Sequence, residues 1–197
     1  MTALESKQVL RKRARAERLA MPMAEISLAI CAQLKSLDVF KAAKTILAYW
    51  PLSWEVDCRS LMTEFPEKTW ALPRITDATH AEMQFYQYSQ ENPLQMGPYG
   101  LMEPDPAQDD GAIWQNSWAS PVLILLPALM ADHSGTRLGA GKGYYDRFLS
   151  SLSLKQETIS LISPLPEAHY VPIIPREHWD IPLNAVVTEN RFLKFPT

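Results

Sequence analysis

Val122-Leu123-Ile124-Leu125-Leu126-Pro127 leads through Asp132 into Gly135-Thr136-Arg137-Leu138-Gly139-Ala140-Gly141-Lys142-Gly143-Tyr144-Tyr145-Asp146-Arg147. The unbroken apolar run reads as a buried strand. Gly139, Gly141 and Gly143 alternate along the loop, and residues without a β-carbon let the backbone bend and approach a ligand closely. A helix suggested over Tyr144 to Leu152 would aim its positive N-terminal end at the same place, with Arg137, Lys142 and Arg147 supplying full charges. The stretch therefore reads as strand, phosphate-binding loop and helix.

It is neither of the two common phosphate loops. A Walker loop needs a glycine five positions after its first, whereas Ala140 stands five after Gly135 and Gly143 follows the lysine. In a dinucleotide fingerprint starting at Gly139 and Gly141, Tyr144 occupies the third glycine position.

Outward from this stretch the chain alternates helix and strand patterns without an internal repeat. Ser6 to Ala20 reads as a first helix, and Pro22 suits the first turn of a second, in which Ile26, Ile30, Leu34 and Leu37 recur at helical spacing. Strands are expected at Thr45 to Trp50, Thr69 to Ile75, Met83 to Tyr88, Val122 to Leu129, Thr158 to Ile162 and Ala185 to Glu189, with a helix over Asp57 to Phe65. Gln90 to Trp118, rich in Pro, Gly, Asn and Asp, reads as a long functional loop, and Arg191 to Phe195 as part of a terminal hairpin. The expected fold is a three-layer α/β domain spanning residues 1–197, its mainly parallel sheet flanked by helices. Ligands of such sheets bind beyond the C-terminal strand ends, where both the glycine loop and the segment around Glu55 would lie.

Composition agrees with a soluble cytoplasmic enzyme. The chain has 197 residues, 47% of them hydrophobic, enough for a sizeable core, and a formal charge of -3 that offers no broad basic field to nucleic acid or membrane. No apolar run is long enough to span a bilayer, and the charged N-terminus lacks a signal-peptide core. A monomer is expected. Cys31 and Cys58 lack metal or disulfide spacing and read as reduced thiols, and the four histidines show no zinc-binding pair.

Three features bear on chemistry. At about 100° per residue, Lys7, Arg11, Arg15 and Arg18 share one stripe of the first helix, which is either a solvated face or an anion-binding one. Glu55, beside Trp50 and Trp54, could accept hydrogen bonds from an amino-heterocycle or could be a helix-start charge favoured by the dipole. Asp146 closes the phosphate loop, where magnesium bridging phosphate oxygens would need one or two carboxylates. Trp54, Trp70, Trp114, Trp118 and Trp179 read as core or loop packing, and Asp132 as a brace for Arg137 or the loop.

The Arg137-Leu138-Gly139-x-Gly141-x-Gly143-Tyr144-Tyr145-Asp146 loop after a strand and an aspartate resembles that of the 5-formyltetrahydrofolate cyclo-ligase family. Lys7 and Arg11, the Trp50 to Asp57 segment, Pro73-Arg74, Glu103-Pro104 and Asp180 to Glu189 follow in the family's order, so the likeness covers nearly the whole chain. The resemblance implies an ATP-driven ring closure of a reduced folate. The formyl oxygen on the 5-nitrogen attacks the γ-phosphate, the 10-nitrogen adds to the activated carbon, and phosphate leaves, giving 5,10-methenyltetrahydrofolate. It further implies that Lys7, Arg11 and the loop from Arg137 through Leu138, Gly139, Ala140, Gly141, Lys142, Gly143 and Tyr144 to Tyr145 hold ATP. Lys142 and Tyr145 would act on the reacting groups, Trp50, Glu55 and Tyr144 would contact the folate, and Asp146 and Asp180 would bind magnesium. Arg15 and Arg18 inherit no such role and read as exposed.

The chain departs from the family pattern in places. Ala128 and Ala131 stand where a glycine and a pocket-side aromatic are common, which predicts a wider pocket. Ala140 replaces a large basic residue of some relatives, and His169 stands where glutamine is common. Two other functions fit a phosphate loop on such a scaffold: a sugar-phosphate isomerase or acyl-transfer enzyme, which would need a dedicated acid/base pair or acyl-accepting glutamate, and a non-catalytic nucleotide-binding module.

Overall fold

A computed structural model describes residues 5–105, 119–152 and 159–196. Trp114, Trp118 and the expected strand start at Thr158 lie outside the described residues.

The first helix, α1 (Lys7–Arg18), starts at Ser6, whose hydroxyl accepts from the Val9 N–H and satisfies one of the donors a helix start leaves open. Pro22 precedes α2 (Met23–Ser36), and a short α3 (Asp38–Ala42) leads into β1 (Thr45–Leu47). The helix α4 (Arg59–Glu64) follows, then β2 (Thr69–Asp77), β3 (Glu82–Tyr88), and a small hairpin of β4 (Leu94–Met96) and β5 (Met102–Pro104). The apolar run forms β6 (Val122–Leu125), followed by β7 (Met130–Asp132), β8 (Arg137–Leu138) and α5 (Tyr144–Ser151). The described chain finishes with β9 (Ile159–Pro164), β10 (Tyr170–Val171), β11 (Ala185–Val187) and β12 (Phe192–Lys194).

Seven strands form the main sheet in the order β12-β11-β9-β6-β1-β2-β3. The five inner strands run parallel, and antiparallel β3 and β12 close the edges, so the expected mainly parallel α/β fold is present. The terminal hairpin is β11 with β12, Val186 opposite Leu193.

The period of two sorts the inner strands into two faces. Ile46, Leu72, Leu123, Leu125, Ile162 and Val187 pack against Ile30, Leu34, Phe40 and Leu61 of the helices α2, α3 and α4. Leu47, Ala71, Val122, Ile124, Leu161 and Val186 face the other way, onto Phe148 and Leu149 of α5. Burial on both faces is why β6 is apolar at every position.

A three-stranded sheet, β10-β7-β8, was not foreseen. It carries α1, whose Leu10 and Ala14 pack against Leu129, Met130, Leu138 and Ile174. Val122 to Leu129 is accordingly not one strand, because Pro127 intervenes and Met130 to Asp132 pairs with β8 and β10 instead. The Gln90 to Trp118 loop contains the β4–β5 hairpin, a second departure from expectation.

Candidate active site

The glycine loop crosses the C-terminal end of the sheet, and each of its alternating glycines lies against an arginine. A β-carbon on Gly139 would stand 2.9 Å from Arg137 Nη1, one on Gly141 3.0 Å from Arg11 Nε, and one on Gly143 2.9 Å from Arg147 Nη1. Gly141 and Gly143 also have φ of +96° and +78°, left-handed backbone that L side chains rarely adopt. The alternation thus has two causes: the turn and the approach of three guanidinium groups.

Two arginines of α1 bind the loop through its carbonyls. Arg11 Nε donates to Gly139 O at 3.0 Å, and Arg15 Nη2 to Ala140 O at 3.2 Å. Among the described residues no backbone acceptor takes the N–H groups of Ala140 to Gly143, which precede the positive start of α5. Donors of this kind, ringed by Arg11, Arg15, Lys142 and Arg147, suit a polyphosphate.

Arg137 is the buried member, 8% exposed. It donates from Nη1 to Pro127 O at 3.1 Å and from Nη2 to Asp146 Oδ1 at 3.0 Å, while its Nε has no acceptor among the described residues. An unmatched buried donor beside the loop fits an anionic ligand. Asp132 makes no hydrogen bond or ion pair to the Arg137 side chain. Its Oδ1 accepts from the N–H groups of Ser134 and Thr136 and its Oδ2 from Ile174 N–H, bracing the turn that leads into β8.

The two carboxylates expected at a metal are engaged separately. Asp146, in the first turn of α5, faces Arg137. Asp180 Oδ2 accepts from Lys7 Nζ at 2.5 Å and from Glu177 N–H at 2.8 Å. No group of three or more potential metal ligands occurs among the described residues. That donor set fits magnesium only in its phosphate-bound form, where one or two carboxylates suffice and waters complete the octahedron.

Opposite the loop, the chain leaving β1 passes Tyr49 and Trp50 and turns at Leu52 to Glu55. Glu55 Oε2 accepts from Leu52 N–H at 3.0 Å, four residues before α4 begins, so this glutamate is not a helix-start charge. Burial raises its carboxyl above the usual range, opposed by that hydrogen bond and by the Arg18 charge. Burial also pushes the Tyr145 phenol strongly upward, reinforced by Glu55, so it remains a neutral hydrogen-bond donor. Its ring lies 5.6 Å from the Arg137 guanidinium. Trp50 has Arg59 over its ring at 4.9 Å and Tyr88 at its edge.

These parts line one cavity of about 1230 Å³. Lys7, Arg11 and Arg15 form one wall with the glycine loop, and Trp50, Glu55 and Pro73 another. The volume exceeds the roughly 300–1,000 Å³ common for a single small ligand. All of the expected contact residues line this cavity except Leu138, which is buried with α1.

Several sequence expectations need correction. Arg18 is 2% exposed, because its guanidinium is consumed by buried acceptors. Arg15 is exposed, as expected, and it also lines the cavity and bonds the loop. Trp70 is core and Trp54 packs on the α1 cluster while also lining the cavity near Arg15, but Trp179, 56% exposed, stands at the cavity rim. Ala128 lines the cavity, whereas Ala131 faces the interior core, so only the first of the two alanines can widen the pocket.

On the β4–β5 hairpin, sequence reading gives Tyr99 and Glu103 no site role, although Glu103-Pro104 figures in the family's order. Tyr99, at a left-handed φ of 62°, reaches Lys142 Nζ at 5.1 Å from its ring centre and meets Tyr144 edge-on. Glu103 is buried, lines the cavity, accepts from Ile75 N–H, and has its carboxyl raised by burial. The available signal was a non-glycine residue before Gly100 in a turn, which does not by itself tell loop packing from a cavity wall.

The sequence profile described as the 5-formyltetrahydrofolate cyclo-ligase family matches residues 3–189. The chain belongs to that family. It is 26% identical over 145 residues to the 5-formyltetrahydrofolate cyclo-ligase of Haemophilus influenzae, covering 73% of this chain and 74% of that protein. It is 28% identical over 154 residues to that of Escherichia coli, covering 76% and 80%. The solution structure of Aquifex aeolicus 5,10-methenyltetrahydrofolate synthetase superposes with a TM-score of 0.76 at 28% identity, covering 97% of this chain and 93% of that one. The protein is thus an enzyme, a ligase of folate one-carbon chemistry from an ATP-dependent family, and the resemblance carried by the glycine loop is upheld.

Proposed function

We propose that this cyclo-ligase closes 5-formyltetrahydrofolate to 5,10-methenyltetrahydrofolate with cleavage of ATP to ADP and phosphate, using residues 1–197 as one domain. The observation that carries the assignment of sites is the joining of the glycine loop and the Trp50 to Glu55 turn in one cavity. A formyl amide oxygen is a poor leaving group, and its phosphorylation gives the 10-nitrogen a carbon it can attack. The protein's task is then alignment and neutralisation of charge rather than covalent catalysis.

Lys7, Arg11, Lys142 and the N–H groups of the loop hold the phosphates, and Arg137 Nε, without an acceptor among the described residues, reaches the same anion. Lys142 neutralises the transferring phosphoryl group. Neutral Tyr145 donates to the reacting formyl group, and Trp50, Glu55 and Tyr144 hold the pterin, with the carboxylate accepting from its amino group. Asp146 and Asp180 are the residues that would hold magnesium, which when bound supplies charge neutralisation to the phosphates. No helix among the described residues is long and apolar enough to cross a membrane, and a cytoplasmic monomer is the proposed working form.

The test is the absorbance of methenyltetrahydrofolate formed from 5-formyltetrahydrofolate with and without ATP and magnesium. Lys142→Ala should raise the KM for ATP and Glu55→Gln that for the folate, each by the equivalent of about 1.5–3 kcal/mol for a lost charge-assisted bond. Equal effects of both variants on both substrates would refute this division of the cavity.

A further inference from the structure

Arg18 lies on the same stripe as three cavity-lining cations, yet its guanidinium is used entirely inside the protein. Nη2 donates to Ala128 O at 2.6 Å and to Leu129 O at 2.8 Å, and Nε donates to His169 Nδ1 at 2.9 Å. His169 is fully buried, and its Nε2 stands 3.0 Å from Glu17 Oε2. Arginine cannot accept a hydrogen bond and an ionised carboxylate cannot donate one. One state of the imidazole satisfies both partners: Nδ1 bare towards Arg18, and Nε2 carrying the proton towards Glu17. An imidazolium would set N–H against N–H at Arg18.

The carbonyls that Arg18 holds belong to the cavity wall. Ala128 and Leu129 line it, and the preceding Pro127 carbonyl receives Arg137 Nη1 at 3.1 Å. The wall between β6 and β7 is therefore pinned by two arginines, one of them oriented by His169. We propose that His169 is a positioning residue. Its neutral form fixes Arg18 and, through it, the Ala128–Leu129 wall, so that protonation of His169 loosens the wall and weakens substrate binding.

The groups around the imidazole set the sign. Burial is the largest influence holding its pKa below the ordinary histidine value, followed by the Arg18 charge, and Arg13 acts the same way, while Glu17 opposes them. Tyr49 and Glu55 face Arg18 from the cavity side. On the histidine's own turn, the Glu167 carboxylate is taken up by Arg191 and Thr188. A histidine with a lowered pKa leaves the linkage complete above its ordinary value of about 6.5, and the linkage is lost as pH falls from there through the lowered value.

His169→Gln gives a non-titrating replacement whose Oε1 can accept from Arg18 and whose amide can donate to Glu17. The KM for 5-formyltetrahydrofolate is measured for parent and H169Q from about pH 7.5 to about pH 5.5, the span in which an imidazole changes charge. Titration of the substrates affects both proteins alike, so the ratio of the two KM values isolates the histidine. That ratio should rise at least about fivefold towards acid, while H169Q stays close to the parent at the alkaline end. A flat ratio overturns the proposal, as does a ring-nitrogen NMR spectrum of the parent showing the proton on Nδ1.

Should H169Q fail to fold, Glu17→Gln on the surface decides the matter. It removes the carboxylate that favours the imidazolium, so the acid rise in KM must move to lower pH, and an unmoved midpoint overturns the proposal. Absence of turnover in the parent at every pH would refute the cyclisation reading, and the ring-nitrogen spectrum would still decide the tautomer on which this positioning rests.

Discussion

The alternating glycines of residues 139–143 would pass, one residue at a time, for simple loop flexibility, but their surroundings differ from that reading. Gly141 combines a left-handed φ of +96° with an Arg11 guanidinium 3.0 Å from where a β-carbon would stand. Gly141→Ala should therefore cost roughly 1–2 kcal/mol in backbone strain and displace Arg11 from Gly139 O, one of the two bonds by which α1 holds the loop. The expected outcome is a lower Tm together with a raised KM for ATP and little change in that for the folate. An unchanged ATP KM would mean that Arg11 acts independently of the loop. The sequence made the glycines and the cations separately legible, and the resemblance placed Lys7 and Arg11 at the phosphates. It could not reveal the pairing of each glycine with an arginine, since Gly141 and Arg11 are 130 positions apart. Arg18 shows the opposite failure. Its place on a cationic stripe predicted solvent, and only its buried acceptors, the Ala128 and Leu129 carbonyls and His169, account for its burial.

At the scale of elements, the long strands and helices were readable because burial on one or two faces leaves a period. Leu123 and Leu125 against Val122 and Ile124, and Ile30 with Leu34, carry it. The small sheet β10-β7-β8 was not readable, since strands of two or three residues are too short to show alternation. That sheet matters to the site because it seats α1. Ala14 is fully buried against the layer formed by Leu129, Met130 and Leu138. Ala14→Leu should overpack this seam and cost about 1–3 kcal/mol. It should also lift Lys7 and Arg11 from the cavity wall, so that ATP binding measured by calorimetry weakens along with stability. A stability loss of that size with unaltered ATP affinity would show that α1 is a structural cover and not part of the nucleotide site.

Across the whole molecule, the cavity is closed by residues from opposite ends of the chain. Lys7 on α1 and Asp180, which lies before β11, form an ion pair over a separation of 173 residues. Asp180 can serve such a pair, a magnesium ion, or both in turn, and the alternatives differ in how variants combine. If Asp180 acts only by orienting Lys7, then Lys7→Ala and Asp180→Asn should each weaken ATP binding, and the double variant should lose little more than either single, because both remove one interaction. If Asp180 also contacts magnesium, Asp180→Asn should raise the magnesium concentration needed for half-maximal rate even in the Lys7→Ala background, as Asp146→Asn should in the parent. The side chains of Lys7 and Asp180 are mostly buried, at 17% and 13% exposure, so a coupling energy above the 0.2–1 kcal/mol typical of exposed pairs is expected. We expect the second outcome: magnesium dependence shifted by Asp180→Asn in both backgrounds, superimposed on a positive coupling with Lys7. Magnesium curves for Asp180→Asn that match the parent, alongside shifted curves for Asp146→Asn, would assign the ion to Asp146 alone and leave Asp180 as the anchor that draws the N-terminal helix across the site.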